Sequence, residues 1–460
     1  MKELICGFLL LFTVGCSSEG DIEQVDNITN PIEQNMLVVN EEKKAEEKKL
    51  SDIKIEEDKK NAKILADKKI EEEKKLAELK RIEEEKKILH IKTPEYVQSL
   101  YFTAYAMGSK DRYNNLLSIS KNTGVNSVTI DVKTVTGYTS FDFDNSKFGK
   151  IKPVSDGRIT EIKEKIKELH KKGIYVVGRI VVFKDNLLTS KRPDLAYKWS
   201  YNKNLVWNDY SGNKYLDASA KEVWDYNAEL ASQAYEMGFD EINFDYVRFP
   251  SDGKISKIYA PFSKDIIAKY GNLGKIKVLD NFSTYFSKKL RDKHPEIILS
   301  ADVFGLVTRG DMNGIGQNLE SFLLNFDYVG PMTYPSHYGA GTLGFSNPDN
   351  HPYEIIKMSI QESNVQINRL NKEIELAKLE DRKVKLSNGL EAGINTSEVG
   401  NIDNSQIRLW LQGFTCTRCK GATPYNSYKF KEQTRALTDM GLKSFWVWNS
   451  GSRYYQSRYK

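Results

Sequence analysis

Eight short apolar runs, rich in β-branched and aromatic residues, recur along the last three quarters of the chain. Such runs, bounded by turn residues, predict β-strands. The runs lie at residues 100–105, 127–132, 174–182, 241–245, 297–301, 328–332, 407–412 and 444–448. Their number and spacing make this part of the chain large enough for one extensive folded unit.

Amphipathic patterns with helical periodicity lie between these runs. They lie at residues 159–170, 222–237, 265–270, 278–294 and 359–379. Gly173 and Gly238 follow the first two patterns and predict where those helices end. Alternating strands and helices predict parallel βαβ units, and eight of them predict a (β/α)8 TIM barrel over residues 96–456. An open doubly wound sheet is the alternative, but no Gly-rich phosphate loop follows the first strand.

Residues 41–90 have a different pattern, in which short blocks of Glu alternate with short blocks of Lys. Many Glu–Lys pairs fall three or four positions apart with Glu first, an arrangement that stabilises a helix. Apolar positions are sparse and do not hold a strict heptad. We therefore expect a solvated helical stalk, about 70 Å long at 1.5 Å per residue, with a weak coiled coil or a protein-binding helix as alternatives.

The first 16 residues have the pattern of a bacterial export signal, with an apolar run over residues 4–14. Thr13-Val14-Gly15-Cys16 resembles a lipobox, although Leu does not stand three positions before the cysteine. The resemblance implies cleavage before Cys16, lipidation of Cys16 and a membrane anchor in the cell envelope, facing the periplasm or the surface. An ordinary signal peptide is the alternative, and residues 17–40 are expected to form a flexible tether.

The composition bears on which classes of function are plausible, but it does not identify one. The chain has 460 residues with 68 basic and 63 acidic side chains, a balance that gives no argument for nucleic acid. Cys416 and Cys419 form a C-x-x-C pair, for which a local disulfide is expected in an exported protein. None of the five His pairs at metal-ligand spacing, so the sequence predicts neither a metal nor another cofactor.

In such a barrel the active site lies at the carboxyl ends of the strands, so the polar residues there are the candidates. Period-two counting places Asp131 and Lys133 on one face of the second strand. The remaining candidates at or after strand ends are Arg179, Asp185, Asp245, Tyr246, Arg248, Asp302, Tyr334, His337, Trp410, Gln412 and Trp448. His337 lies in a Gly- and Ser-rich loop at 336–344 and is expected to be exposed.

Three carboxylates at the ends of neighbouring strands raise one another's pKa values. Cleavage of a glycosidic bond uses that arrangement, because one carboxyl must donate a proton while another attacks or activates water. Each carboxylate also has a structural interpretation. Asp131, Asp185, Asp245 and Asp302 can cap helices or pair with basic residues, and for Asp185 the helix cap is the preferred interpretation.

Residues 238–250, with the sequence GFDEINFDYVRFP, resemble the fourth-strand signature of a bacterial glycoside hydrolase family long classed as a domain of unknown function. The likeness extends to residues 126–133, 178–185, 331–335 and 410–412, and it covers about residues 97–456. It implies a TIM barrel and carbohydrate-active chemistry without a particular substrate. The segment 416–424 departs from the family and is expected to reshape the pocket.

We assign hypothetical roles on this basis. Asp245 is the nucleophile or base and Asp302 the general acid. Glu241 is an alternative acid, or else it is buried and paired with Lys133 or Arg179. Substrate contacts are expected from Asp131, Lys133, Arg179, Tyr246, Arg248, Tyr334, His337, Trp410, Gln412 and Trp448, where the two arginines hold carboxylates ionised or bind an anionic sugar.

Three functions stay open at this point. The first is an anchored hydrolase of a polysaccharide or cell-wall glycan. The second is a surface lipoprotein that binds a glycan or a protein without turnover. The third is an assembly factor that binds a protein partner through residues 41–89. The separation of the two carboxyl groups distinguishes retaining from inverting hydrolysis.

Overall fold

The computed structural model describes residues 31–419 and 421–458, with the side chains of 31–42 and 81–88 left out. The predicted leader and Cys16 lie outside these residues. The chain divides into two compact units, Met1–Glu83 and Glu84–Lys460. Among the described residues, no helix combines the length and the apolar character that crossing a membrane requires.

A single long helix, α1, extends over Pro31–Leu89. Its side chains at residues 43–80 are all exposed, and these include Leu50, Ile64 and Leu79, whereas Leu89 at its end is half-buried. Such a helix depends on its own backbone hydrogen bonds and on pairs of opposite charge along its surface. It begins at Pro31, a residue suited to the first turn. Residues 31–40, predicted as part of a flexible tether, are therefore helical.

Eight parallel strands close into a barrel in the second unit. Strand β1 pairs with both β2 and β8, and this closure excludes the open doubly wound sheet. The predicted TIM barrel is thus confirmed. The strands are β1 Gln98–Phe102, β2 Ser127–Lys133, β3 Tyr175–Val181, β4 Glu241–Asp245, β5 Ile298–Phe304, β6 Tyr328–Met332, β7 Leu409–Gln412 and β8 Phe445–Trp448.

Helices follow the strands, as in other barrels of this kind. The two helices that were predicted to end before Gly173 and Gly238 end at His170 and Glu236. Both glycines have positive φ angles. The helices of this unit are α2 Ala104–Gly108, α3 Lys110–Asn122, α4 Ile162–His170, α5 Asn186–Lys191, α6 Lys221–Glu236, α7 Lys264–Tyr270, α8 Gly274–Lys293, α9 Leu319–Asn325, α10 Pro352–Leu379 and α11 Ser427–Asp439.

Alternate residues of each strand face two different environments. Ile242 and Phe244 of β4 belong to the large apolar core that also includes helical residues such as Phe286. Glu241, Asn243 and Asp245 of the same strand face the opposite way, as period-two counting predicts. Their face is the barrel interior, where aromatic and hydrogen-bonded polar side chains replace aliphatic ones.

Strand β2 contains a bulge near its carboxyl end. Asp131 is opposite Arg179 of β3, but Lys133 is opposite the very next residue of β3, Ile180. One extra residue, Val132, is thus accommodated in β2. A bulge of this kind re-aims the side chains that follow it.

A small antiparallel sheet is built from the segments that follow β3 and β4. Its central strand, Lys198–Trp199, pairs with Asn202–Val206 on one side and Ile258–Tyr259 on the other. Segments that follow barrel strands lie at the carboxyl end of the barrel, so this sheet belongs to the same end as the candidate residues.

Candidate active site

All eight strands contribute to one cavity at the carboxyl end of the barrel. Its volume is about 630 Å³, within the range typical of small-ligand sites. The residues that line it and that lie in strands or shortly after them include Tyr101, Asp131, Arg179, Asp245, Tyr246, Arg248, Asp302, Phe304, Met332, Tyr334, Trp410 and Trp448. The cavity therefore lies at the strand ends, which makes it the candidate site.

Arg179 bridges two carboxylates on the floor of this cavity. Its Nη1 donates to Asp131 Oδ1 at 2.7 Å, and its Nη2 donates to Asp245 Oδ2 at 2.5 Å. Burial disfavours the charge of Arg179, but the carboxylates of Asp245 and Asp131 outweigh burial and raise its pKa. Tyr101 donates its hydroxyl to Asp131 Oδ2 at 2.6 Å. The pairing of Asp131 with a basic residue is thus observed, and the floor is pre-organised by charged hydrogen bonds.

Among the described residues, no cationic side chain is in direct contact with Asp302. Its Oδ1 accepts from Asn243 Nδ2 at 2.9 Å and from Trp410 Nε1 at 2.6 Å. Burial raises the pKa of Asp302 well above its ordinary value, and the nearby charge of Asp245 raises it further. Asp302 caps no helix, in contrast to the structural interpretation considered above. A buried carboxyl with a raised pKa can hold a proton near neutral pH and donate it.

Gly330 of β6 makes room for Asp302. A Cβ atom at this position would lie 2.8 Å from Asp302 Oδ1 and 2.8 Å from the ring of Trp446. Glycine is therefore required here by close approach, since any side chain would displace the carboxyl or the ring.

The backbone turns sharply after Asp245. Tyr246 has a φ angle of 55°, which is unusual for a residue with a large side chain. Its amide donates to Asp245 Oδ1 at 2.5 Å. Strained backbone of this kind is found at functional sites, where the surrounding structure maintains it. The turn brings the Tyr246 ring to the cavity beside the carboxylate.

Aromatic side chains form the walls of the cavity. Tyr101 stacks on Trp448 with ring centroids 4.1 Å apart, and Trp410 meets Trp448 edge to face at 5.8 Å. Tyr334 contacts His337, which is exposed at the rim as expected. Flat apolar faces beside polar groups suit the faces and hydroxyls of sugar rings.

The structure brings ten of the twelve predicted catalytic and substrate-binding residues to this cavity, and two lie elsewhere. Lys133 is fully buried outside it, with its Nζ 3.0 Å from Asp185 Oδ2 and over the ring of Tyr226. The expectation that Lys133 shares a face with Asp131 is wrong, because the bulge in β2 turns Lys133 outward. Asp185 also caps α5 through the amide of Leu188, as preferred above.

Gln412 is the second residue that does not line the cavity. Its Oε1 accepts from the amide and the hydroxyl of Ser336, at 3.1 and 2.9 Å. Its Nε2 donates to the carbonyl of Phe414 at 3.0 Å. Gln412 therefore joins the loops after β6 and β7, and the expectation of a sugar contact is corrected to one of loop positioning.

Glu241 lies at the other end of the barrel interior and is not an acid of this cavity. It pairs with Arg408, whose Nη1 lies 2.8 Å from Glu241 Oε2, and it also accepts from Ser300 and Tyr175. The expected partners, Lys133 and Arg179, were wrong. Arg408 immediately precedes β7, and its interior position was not inferred from the sequence.

Cys416 and Cys419 form a disulfide in the loop after β7. No further His or Cys lies near this pair along the chain to complete a metal site, but the fold brings His337 to them. The three potential ligand atoms lie within 4.8 Å of one another. With both sulfurs in the disulfide, this group has no thiolate to offer a metal.

Tyr101 and Asn243 are hydrogen-bonding residues of the site that the sequence reasoning missed. Tyr101, the last but one residue of β1, donates to Asp131, and a search for polar residues at the end of the first strand would have found it. Asn243 was not among the predicted candidates, although its amide contacts Asp302. Its alternation with Asp245 was the available signal.

The closed parallel barrel has an aromatic cavity with Asp131, Asp245 and Asp302 at the carboxyl end of its strands, where enzymes of the (β/α)8 fold have their active sites. Residues 99–379 and 384–454 match a protein family described as "Putative glycosyl hydrolase domain". The chain belongs to this family, and the predicted glycosidase assignment is confirmed at that level.

One solved structure supports the fold. The glycoside hydrolase domain of PgaB (BpsB) from Bordetella bronchiseptica aligns with a TM-score of 0.50 and 11% identity, covering 78% of this chain and 95% of that one. A hypothetical protein from Ruminiclostridium thermocellum is 30% identical over 44% of this chain and 97% of its own, with a TM-score of 0.37. Among curated proteins, none matches this chain.

Proposed function

We propose that this protein hydrolyses glycosidic bonds in a polysaccharide or cell-wall glycan with Asp302 as general acid and Asp245 as nucleophile or base. One observation carries the proposal: two carboxyl groups of one cavity have opposite surroundings. Arg179 balances the charge of Asp245, while burial and the Asp245 charge raise the pKa of Asp302. One protonated and one ionised carboxyl is the state that this chemistry requires.

In the first step Asp302 gives its proton to the glycosidic oxygen as the bond to the leaving sugar breaks. In the same step, the Asp245 carboxylate either attacks the anomeric carbon or takes a proton from the water that attacks it. In the first case, water that gives a proton to the Asp302 carboxylate then releases the sugar from Asp245. Arg179 and the Tyr246 amide hold Asp245 in place. Trp448, Trp410 and Tyr101 flank the reacting sugar and exclude water from its apolar face.

The test is release of new reducing ends from a glycan panel that includes peptidoglycan. We expect the full chain to cleave at least one glycan, and Asp245→Asn to lower kcat by a factor on the order of 10³. Asp252→Asn is the matched control, because Asp252 is an exposed carboxylate in the loop after the same strand. Nuclear magnetic resonance of the first product anomer separates retention from inversion.

Absence of cleavage from every glycan, with binding that survives Asp245→Asn, would instead support a non-catalytic glycan-binding lipoprotein. Equal rates in Asp245→Asn and the unmodified protein would remove Asp245 from the mechanism. Deletion of residues 41–89 examines the assembly factor, for which function would depend on α1 and not on Asp245.

We also propose lipid anchoring at Cys16, with the enzyme held in the cell envelope. The support is the apolar run of residues 4–14 followed by Gly15-Cys16. Radiolabelled palmitate should be incorporated into the unmodified protein and not into Cys16→Ser. Equal labelling of both would contradict the anchor.

A further inference from the structure

The cavity contains two guanidinium groups with different surroundings. Arg179 is bound by Asp131 and Asp245, so its charge is already matched within the protein. Arg248 is also buried, with 7% of its surface exposed, and it lines the same cavity. Among the side chains that the structure describes, no carboxylate oxygen lies within 4.0 Å of the Arg248 nitrogens.

Arg248 is held by neutral groups. Its Nη1 donates to the carbonyl of Phe249 and to the hydroxyl of Ser251, both at 3.1 Å. Its Cζ lies 4.6 Å from the centre of the Tyr246 ring and 4.9 Å from that of Phe304. These contacts fix the plane of the guanidinium. The Tyr215 hydroxyl is a further neutral partner of its side chain. None of these groups carries a charge, so they do not match the positive charge of the guanidinium.

Arg408 shows what an arginine in such a setting requires. It lies between the rings of Tyr328 and Trp446, at 3.8 and 4.6 Å, much as Arg248 lies beside two rings. There, Glu241 supplies a carboxylate with both oxygens within 3.1 Å of Nη1. A buried cation without such a partner is costly, so a cavity that keeps one unmatched is suited to an anion from outside.

Lys184 adds to the positive charge at this side of the cavity. Its Nζ lies 4.9 Å from the Tyr246 ring, and its nearest carboxylate oxygen, on Asp209, is 4.0 Å away. Tyr246 therefore has two cations in contact with its ring. Positive charge in a confined cleft attracts anionic ligands more strongly than the same charge on an open surface.

We propose that Arg248 binds a carboxylate carried by a sugar unit in the cavity, and that the substrate is an acidic glycan of the uronic acid type. The proposal rests on the hydrolase proposed above, whose cavity it shares. Guanidinium and carboxylate form paired hydrogen bonds of matching geometry, and this makes Arg248 a specificity residue for an acidic sugar.

The experiment measures binding by calorimetry to acidic oligosaccharides and to the same oligosaccharides after chemical reduction of their carboxyl groups. The full chain carrying Asp245→Asn prevents turnover during titration. We expect at least one acidic oligosaccharide to bind about tenfold or more tightly than its reduced counterpart, and Arg248→Gln to abolish that difference. Arg248→Lys should restore part of it, because the charge returns without the paired geometry.

Lys254→Gln is the matched control, since it removes a positive charge from the loop after the same strand, at an exposed side chain that does not line the cavity. It should retain most of the acidic preference. Thermal unfolding of each variant identifies any that fails to fold, and Arg248→Lys then carries the comparison. Equal affinity for every acidic and reduced pair, or a preference that persists in Arg248→Gln, would overturn the proposal.

The experiments distinguish failure of the role proposed for Arg248 from failure of the proposed hydrolase activity. Cleavage of neutral glycans that depends on Asp245, without acidic preference, would keep the hydrolase and remove the role of Arg248. Acidic preference in binding without cleavage of any glycan would keep Arg248 and remove the hydrolase. If both hold, Arg248→Gln should raise KM for the acidic glycan more than it lowers kcat.

Discussion

Two buried groups of charges lie at opposite ends of the same barrel interior. At the amino end, Glu241 begins β4 and pairs with Arg408, and Ser300 and Tyr175 complete its hydrogen bonds. At the carboxyl end, Asp245 ends β4 and shares Arg179 with Asp131. The first group is enclosed by protein. The second lies beside a cavity that Asp302 and Arg248 also line.

The two groups show that the same residue types can stabilise the fold in one place and be available for chemistry in another. A matched and enclosed ion pair has no group left to act on a ligand, so its role is in folding and specificity of packing. The group at the other end includes Asp302, whose pKa is raised, and the buried Arg248, which has no carboxylate partner among the described side chains. Buried groups with shifted pKa values or without a partner of opposite charge are typical of functional sites.

The largest expected effect is on turnover. Asp302→Asn should lower kcat by a factor on the order of 10³, because the proton donor is lost, while the melting temperature stays near that of the unmodified protein. Glu241→Gln makes the same chemical change at the amino end of the barrel. It should leave kcat near normal and lower the melting temperature. Rates per folded molecule and thermal scans measure both, and a rate within tenfold of normal in Asp302→Asn would contradict the assignment.

The second effect is on stability. Arg408→Met leaves the Glu241 charge buried and unpaired and should cost about 3–5 kcal/mol of unfolding free energy. The double variant Glu241→Gln with Arg408→Met should recover much of this loss, because no unpaired charge stays behind. Urea unfolding measures both changes. If the two single losses simply add, the pair is not the source of the stabilisation.

The smallest effect is on pH dependence. As a general acid, Asp302 is active when protonated, so the rate should fall as pH rises through its pKa. Trp410→Phe removes a donor that favours the carboxylate and should raise that pKa, moving the falling limb of kcat/KM to higher pH by about one unit. Trp448→Phe, another change in the cavity wall, should leave the limb in place.

The architecture could be predicted from the sequence, because hydrophobic periodicity indicates the strands and helices of the barrel. Each of the eight predicted runs overlaps one observed strand, and β4 and β6 have the predicted bounds. The strand-end rule also placed Asp131, Arg179, Asp245 and Asp302 in one cavity, since parallel strands converge at that end.

The failures have local physical causes. Lys133 was misplaced because a bulge changes the face of a side chain by one step, and no residue type marks that bulge in the sequence. The partner of Glu241 was missed because Arg408 is 167 positions away along the chain. Contacts of that range follow from barrel closure and not from local pattern.

The tryptophans give the site an optical property. The chain has six tryptophans, and Trp410 and Trp448 line the cavity while Trp446 stacks on Trp410 at 5.4 Å. Half of the indole chromophores therefore sense what enters the barrel. Occupancy of the cavity should alter the intrinsic fluorescence of the unlabelled protein, so that ligands can be screened in real time without a dye or a coupled assay.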